Sequence, residues 1–126
     1  MKESIYNVTI KECDKELTAR ERVMIKDITN AVKLDEAANE KFVMHPAFYA
    51  VLNIHNDKSP DKDYENYIII DKDGTKYVTG SPSFWNSFIG IYNEMADAGD
   101  EEWGLEVYKL DSKNYSGKKF ITCSIV

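Results

Sequence analysis

The sequence of 126 residues predicts a mainly β fold with one or two helices. Apolar and polar residues alternate along five main segments, and this two-residue period is typical of half-buried strands. One strong helical pattern lies between the third and the fourth of these segments. That order is typical of the OB-fold, a five-stranded and partly open barrel. Competing α+β arrangements stay open, because the order of elements does not determine which strands pair.

The predicted strands of the barrel all follow the first third of the chain. They are Ala47–His55, Tyr64–Ile70, Thr75–Thr79, Trp103–Tyr108 and Phe120–Ile125. In the first strand, Ala50, Leu52 and Ile54 form an apolar face, and Tyr49 lies on the opposite face. The second and third strands form a hairpin in which Gly74 takes a left-handed turn position. The Asp-x-Asp-Gly pattern there also occurs in calcium loops, but the further ligands of such a loop do not follow.

The predicted helix has clear signals at both ends. Ser81 is a suitable N-cap, Pro82 suits the first helical position, and Gly99 follows the last helical residues. Apolar residues recur between them at helical spacing, which indicates core packing rather than a cofactor site. Gly90 interrupts this stripe at a cost of about 1 kcal/mol relative to Ala. A close neighbour is therefore expected at Gly90.

The whole chain is expected to form one OB-like domain, residues 1–126, with an N-terminal extension of about residues 1–40. In this extension Ile5–Glu12 alternates as a strand does. Thr18-Ala-Arg-Glu21 matches a capping box and predicts a helix after it, although Arg22–Lys26 could equally be a strand. The following stretch, residues 33–41, is expected to be a connection.

The sequence contains no pattern that predicts catalysis, a cofactor or a metal site. Neither His45 nor His55 has a Cys or His at metal-ligand spacing, and Cys13 and Cys123 are expected to be separate reduced thiols. The nucleophile-elbow, phosphate-loop and dinucleotide patterns are absent. No apolar run reaches bilayer length and the first residues do not resemble a signal peptide. We therefore expect a cytoplasmic, non-enzymatic protein that does not contact membranes.

Charge disfavours duplex DNA as the ligand but leaves single strands open. The chain carries a net charge of −6 and only two arginines, Arg20 and Arg22, whereas guanine reading in a duplex relies on arginine. A local exception is the last hairpin, where from Lys109 to Lys119 four lysines stand against Asp111, a balance of +3. An ordinary solvated turn would also have this composition. A basic loop on an acidic chain nevertheless favours an anionic ligand.

Exposed aromatic rings beside that loop favour single-stranded DNA. Bases stack on such rings while lysines follow the phosphates, and a local basic groove is sufficient. If the apolar faces of the strands point inward, four rings point outward and a fifth lies in the loop. The predicted nucleic-acid-binding residues are Tyr49, Tyr77, Tyr108, Lys109, Lys113, Asn114, Tyr115, Lys118, Lys119 and Phe120. The alternative is that these rings pack under the N-terminal segment or a long loop, or form a dimer contact.

Roughly the last two-thirds of the chain resembles a known family. The similar strings are Val51-Leu-Asn-Ile-His-Asn-Asp-Lys-Ser59, Asp71-Lys-Asp-Gly-Thr-Lys-Tyr-Val-Thr-Gly-Ser81, Phe84-Trp85 with Ser87-Phe88, and Ser112 to Ile125. They resemble small single-stranded DNA-binding proteins of phages and mobile elements in Gram-positive bacteria. The resemblance implies an OB-like fold and a role in protecting or transferring single strands during DNA replication or recombination. Replication or recombination proteins would then be further partners.

Two further expectations concern protein partners. The acidic segments Asp57–Glu65 and Asp97–Glu102 could imitate a phosphate backbone. The second hypothesis is therefore an acidic, phage-type protein–protein inhibitor of a host nuclease or defence enzyme. A homodimer is also expected, because an unpaired edge on the last strand would invite pairing with a second copy.

Overall fold

A computed structural model of the chain describes residues 5–112 and 117–126. Within these ranges the chain forms eight strands, three α-helices and one 3₁₀ turn. In chain order they are β1 (Tyr6–Cys13), α1 (Ala19–Lys26), the 3₁₀ turn (Ile28–Asn30), β2 (Val32–Lys33), α2 (Leu34–Ala37), β3 (Phe42–Met44), β4 (Pro46–Asn56), β5 (Asp63–Asp71), β6 (Lys76–Thr79), α3 (Pro82–Ala98), β7 (Leu105–Asp111) and β8 (Lys119–Ile125). None of the helices in the described ranges has both the length and the apolarity needed to cross a bilayer.

The strands form two sheets. Sheet A has five strands in the order β1-β4-β5-β6-β2, and sheet B has three in the order β3-β7-β8. All neighbours are antiparallel except β2 and β6, which are parallel. The predicted mainly β fold is confirmed. The predicted five-stranded barrel is not closed, because no ladder between described strands joins sheet A to sheet B.

The chain passes from sheet B to sheet A at a single residue, His45. β3 ends at Met44 in sheet B, and β4 begins at Pro46 in sheet A. The buried carboxylate of Asp71 accepts the His45 backbone N–H, and the Lys72 N–H donates to the His45 carbonyl at 2.9 Å. These two hydrogen bonds fix the point at which one nearly continuous stretch supplies strands to both sheets.

The main core lies between the sheets and α3. Trp85 of α3 is buried, stacks on Tyr67 with ring centroids 4.8 Å apart, and meets the Tyr49 ring edge-on at 5.4 Å. Val107 and Ile121 of sheet B belong to the same buried cluster. The predicted apolar stripe of α3 is therefore confirmed as core packing.

Both predicted ends of α3 are confirmed. The Ser81 hydroxyl accepts the Phe84 N–H at 3.2 Å, and Gly99 ends the helix with a φ of 70°. Gly74 also has a positive φ, 90°, as its turn position requires. The neighbour expected at Gly90 is absent from the described residues, because a Cβ built there meets nothing within 4 Å.

A second core covers the other face of sheet A. Ala50, Leu52 and Ile68 are fully buried there, and Ile25 of α1 packs against this cluster. The central strands β4 and β5 are consequently buried on both faces. The predicted capping box of α1 is present, with Thr18 as the N-cap, which settles the choice between helix and strand.

The stretch expected to be a connection, residues 33–41, is wrongly predicted. It contains α2 and lies between two short strands, β2 and β3. Leu34 is 0% exposed and Ala38 only 2%, so this stretch contributes to the main core. Two-residue and three-residue strands are too short to show a period in the sequence.

Candidate nucleic-acid interface

The outer face of sheet B is a sheet surface that is partly open to solvent. The register of β7 and β8 places Leu110 opposite Phe120 and Tyr108 opposite Thr122. Phe120 is 43% exposed and Leu110 is 47% exposed, while Tyr108 is half-buried. Because residues two apart on neighbouring strands are diagonal neighbours, the rings of Tyr108 and Phe120 share this face. Two aromatic rings are thus presented side by side on one sheet surface.

The ring of Tyr108 is held from two directions. Its hydroxyl shares a hydrogen bond of 2.7 Å with the Ser124 hydroxyl. The Lys41 ammonium lies 5.3 Å from the ring centroid, within the range of a cation–π contact. Lys41 also forms an ion pair with Glu106, at 3.5 Å. The orientation of the Tyr108 ring is therefore fixed by contacts within the protein.

A basic cleft lies beside these rings, between the α2–β3 segment and the β7–β8 hairpin. It has a volume of about 330 Å³ and is lined by Ala38, Asn39, Lys41, Tyr108, Lys109, Leu110 and Lys119. The Lys109 ammonium donates to the Asn39 side-chain oxygen at 2.7 Å. Three of the seven lining residues are lysines and none is acidic. This cleft concentrates positive charge on a chain whose net charge is −6.

Two of the predicted stacking residues do not lie on this face. Tyr49 is only 7% exposed, and its hydroxyl donates to Glu12 at 3.1 Å; burial raises the pKa of Tyr49 to about 12. Tyr77 is half-buried and its ring stacks on Phe42 with centroids 5.7 Å apart. The expectation that both rings point into solvent is wrong. Tyr49 belongs to the main core, and Tyr77, on β6, packs against the same core.

The other predicted residues follow the β7–β8 hairpin. Tyr108 and Phe120 lie on the outer face, and Tyr108, Lys109 and Lys119 line the cleft. Lys118 is exposed at the base of the loop, where its carbonyl accepts the Ser112 N–H at 2.9 Å. Lys113, Asn114 and Tyr115 lie outside the described residues. Five of the ten predicted residues are therefore brought together along one hairpin.

Two polar residues of the cleft, Asn39 and Lys41, were not predicted from the sequence. They stand in the stretch that was expected to be a connection. Only the pairing of β3 with β7, which sets Val43 opposite Glu106, brings them beside the last hairpin. Nothing in the local sequence around Lys41 signals this contact, because the partner strand is more than sixty residues away.

The first of the two acidic segments, Asp57–Glu65, has partners within the protein. In the first segment, Asp57 and Asp63 contact the two ring nitrogens of His55 at 2.7 Å and 2.8 Å. Glu65 binds the Lys11 ammonium at 2.7 Å. The contact with Asp63, followed by that with Asp57, raises the pKa of His55. This segment is thus partly neutralised within the protein, which makes it a poor imitation of a bare phosphate backbone.

Within residues 5–112 and 117–126, no three His, Cys, Asp or Glu side chains are grouped as a metal site would require. Comparison with known proteins gives no relative: no family model, curated protein or solved structure matches the chain.

Proposed function

We propose that this protein binds single-stranded DNA without strong sequence preference, on the outer face of sheet B. The observation that carries the proposal is the pair of rings, Tyr108 and Phe120, on an open sheet face beside a cleft with three lysines. Each base stacked on a ring contributes about 1–3 kcal/mol, and lysines add a salt-dependent attraction to the phosphates. Stacking on a ring requires an unpaired base, so the same face is unsuited to a duplex.

The proposal includes an OB-like architecture. The meander β4–β5–β6, the helix α3 and the hairpin β7–β8 follow one another in the order of that fold. The first strand of an OB-like fold would be shared between two sheets. The stretch from β3 to β4 likewise supplies strands to both sheets. OB-folds contact oligonucleotides with the face of strands 2 and 3 and the loops 1–2 and 4–5. In this chain the strands that correspond to 2 and 3 lie in sheet A, one face of which is covered by α1. The loop that corresponds to 4–5 joins β7 and β8.

The biological role that we propose is the one implied by the family resemblance. A protein that covers single strands would protect or transfer them during phage or mobile-element replication or recombination. Non-specific stacking suits that role, because such a protein must cover strands of any sequence.

Fluorescence anisotropy tests the proposal. A labelled oligo-dT strand, its duplex form and an RNA strand of the same length are titrated with the protein across a salt series. We expect binding of the single DNA strand that weakens with salt, and weak binding of the duplex. Lys119→Glu should weaken strand binding, whereas Lys58→Glu, the same charge change at an exposed residue of the β4–β5 loop, should not.

The alternative function is an outcome of the same experiment. No strand binding at low salt, together with capture of a host nuclease, would replace the proposal with the acidic inhibitor. The pairing of Asp57 and Asp63 with His55 favours single-strand binding over that alternative.

A homodimer remains a prediction within this proposal. β8 is the outermost strand of sheet B and pairs, among the described strands, with β7. Antiparallel pairing of two β8 strands would join two copies of sheet B into one continuous sheet. The outer faces of both copies would then form one longer surface for a strand. Light scattering should return twice the mass of 14.5 kDa, and a monomer mass at high concentration would exclude the dimer.

A further inference from the structure

We infer that the cleft between the α2–β3 segment and the β7–β8 hairpin holds a backbone phosphate of the bound strand, next to the base stacked on Tyr108. This inference rests on the proposed function, because it assigns one chemical group of the strand to one site. It adds Lys41 and Asn39 to the interface.

The charges around the cleft favour an anion. Lys109 is anchored by the neutral side chain of Asn39, at 2.7 Å, so this contact leaves the lysine charge uncompensated. Glu106, which pairs with Lys41, and Asp111, which stands opposite Lys119 in the register, do not line the cleft. Asn39 uses its side-chain oxygen for Lys109, which leaves its amide N–H groups as donors to a ligand. Phosphate oxygens accept from ammonium and amide groups alike.

Lys41 can exchange its present partners for a phosphate. Its side chain is 61% exposed, and its ion pair with Glu106, at 3.5 Å, is of the solvent-exposed kind that contributes little. Its ammonium lies over the Tyr108 ring, where a base would stack. A base arriving on the ring displaces the ammonium from this position. The cleft shares Tyr108 with the stacking face, so the displaced ammonium has a phosphate site within its reach.

The geometry therefore couples two events at one nucleotide. The base replaces the ammonium on the ring, and the phosphate next to that base takes the ammonium as its partner. The lysine keeps an electrostatic partner in both states, either the ring and Glu106 or the phosphate. Strand binding then adds a charge-assisted hydrogen bond at this position.

The salt dependence of oligo-dT binding by the full chain tests the inference. Each phosphate contact on a single strand contributes about 0.7 to the slope of log affinity against log salt concentration. The cleft holds one phosphate, so the double variant Lys41→Gln/Lys109→Gln should lower the slope by about 0.7. Lys58→Gln, the matched control outside the cleft, should leave it unchanged. Phe120→Ala should weaken binding with an unchanged slope, because a ring neutralises no phosphate.

A second measurement locates the phosphate. The probes are a dT dinucleotide with and without a 5′-phosphate, compared by chemical shift titration of the protein. We expect the wild type to prefer the phosphorylated probe. Asn39→Asp, which places a carboxylate in the cleft with almost no change of shape, should abolish this preference while Phe120→Ala retains it. Circular dichroism and the melting temperature verify that each variant is folded.

Different results would contradict the phosphate cleft and the proposed single-strand binding. Strand binding by the wild type with an unchanged slope in the double variant Lys41→Gln/Lys109→Gln would overturn the phosphate cleft alone. No binding of any single strand by the wild type would overturn the proposed function and the cleft with it.

Discussion

Neighbouring residues on β8 should have opposite effects when they are shortened, because they lie on opposite faces of sheet B. Phe120 is 43% exposed on the outer face, and Ile121 is 5% exposed in the core. Phe120→Ala should impair strand binding and spare the fold. Ile121→Val should cost stability and spare strand binding.

The magnitudes follow from burial and stacking. Fully burying a Phe side chain stabilises a protein by about 1.5–3 kcal/mol, and just over half of the Phe120 surface is buried. The variant should therefore lose about 1 kcal/mol, or about 4 °C in melting temperature for a chain of this length. Losing one stacked base costs about 1–3 kcal/mol, which raises the Kd for oligo-dT about 5-fold to 150-fold. Ile121→Val should cost about 0.5–1.5 kcal/mol of stability.

The assay pairs thermal denaturation by circular dichroism with anisotropy on oligo-dT. A folded Phe120→Ala protein that binds oligo-dT as tightly as the wild type would refute the assignment of the outer face. An equal loss of affinity in Ile121→Val would refute it as well, because the effect would then come from the fold and not from the surface.

Three more predictions concern the rest of the molecule. Gly90→Ala should raise the free energy of unfolding by about 1 kcal/mol, since its Cβ enters open space on α3; an unchanged melting temperature would indicate that another surface packs there. His55→Gln should flatten the pH dependence of the urea midpoint: the contact with Asp63 raises the pKa of His55, so its contribution is full below about 6.5 and is lost as the pH rises through the raised value. If the urea midpoint changed with pH by the same amount in the wild type and in His55→Gln, this prediction would be wrong. Tyr49→Phe should cost about 1 kcal/mol by removing the hydrogen bond to Glu12, yet leave oligo-dT binding intact; a loss of binding would return Tyr49 to the interface.

Local features that depend on a few neighbouring residues, such as helix caps and turns, could be predicted from the sequence. The capping box at Thr18, the cap at Ser81 and the turn at Gly74 each involve contacts across four residues or fewer, and all three are present. The alternation in β7 and β8 also placed Tyr108 and Phe120 on the correct face, because sheet B is covered on one side only.

Features that depend on packing between residues far apart in the sequence could not be predicted from it. Tyr49 and Tyr77 were expected on an outer face because alternation assigns one buried side to a strand, whereas α1 and α3 cover both sides of sheet A. Lys41 reaches the cleft through the pairing of β3 with β7. Nor does the stretch from β3 to β4 reveal that it changes sheets at His45, because that depends on the buried carboxylate of Asp71.

Photo-crosslinking tests the central claim most directly, because it reports both whether a strand binds and where. An oligo-dT strand carrying 5-iododeoxyuridine is bound at low salt and irradiated, and the attached peptides are identified by mass spectrometry. We expect attachment at Tyr108 or Phe120, on the outer face of sheet B. Attachment confined to α1 and sheet A, or no attachment at all, would contradict it.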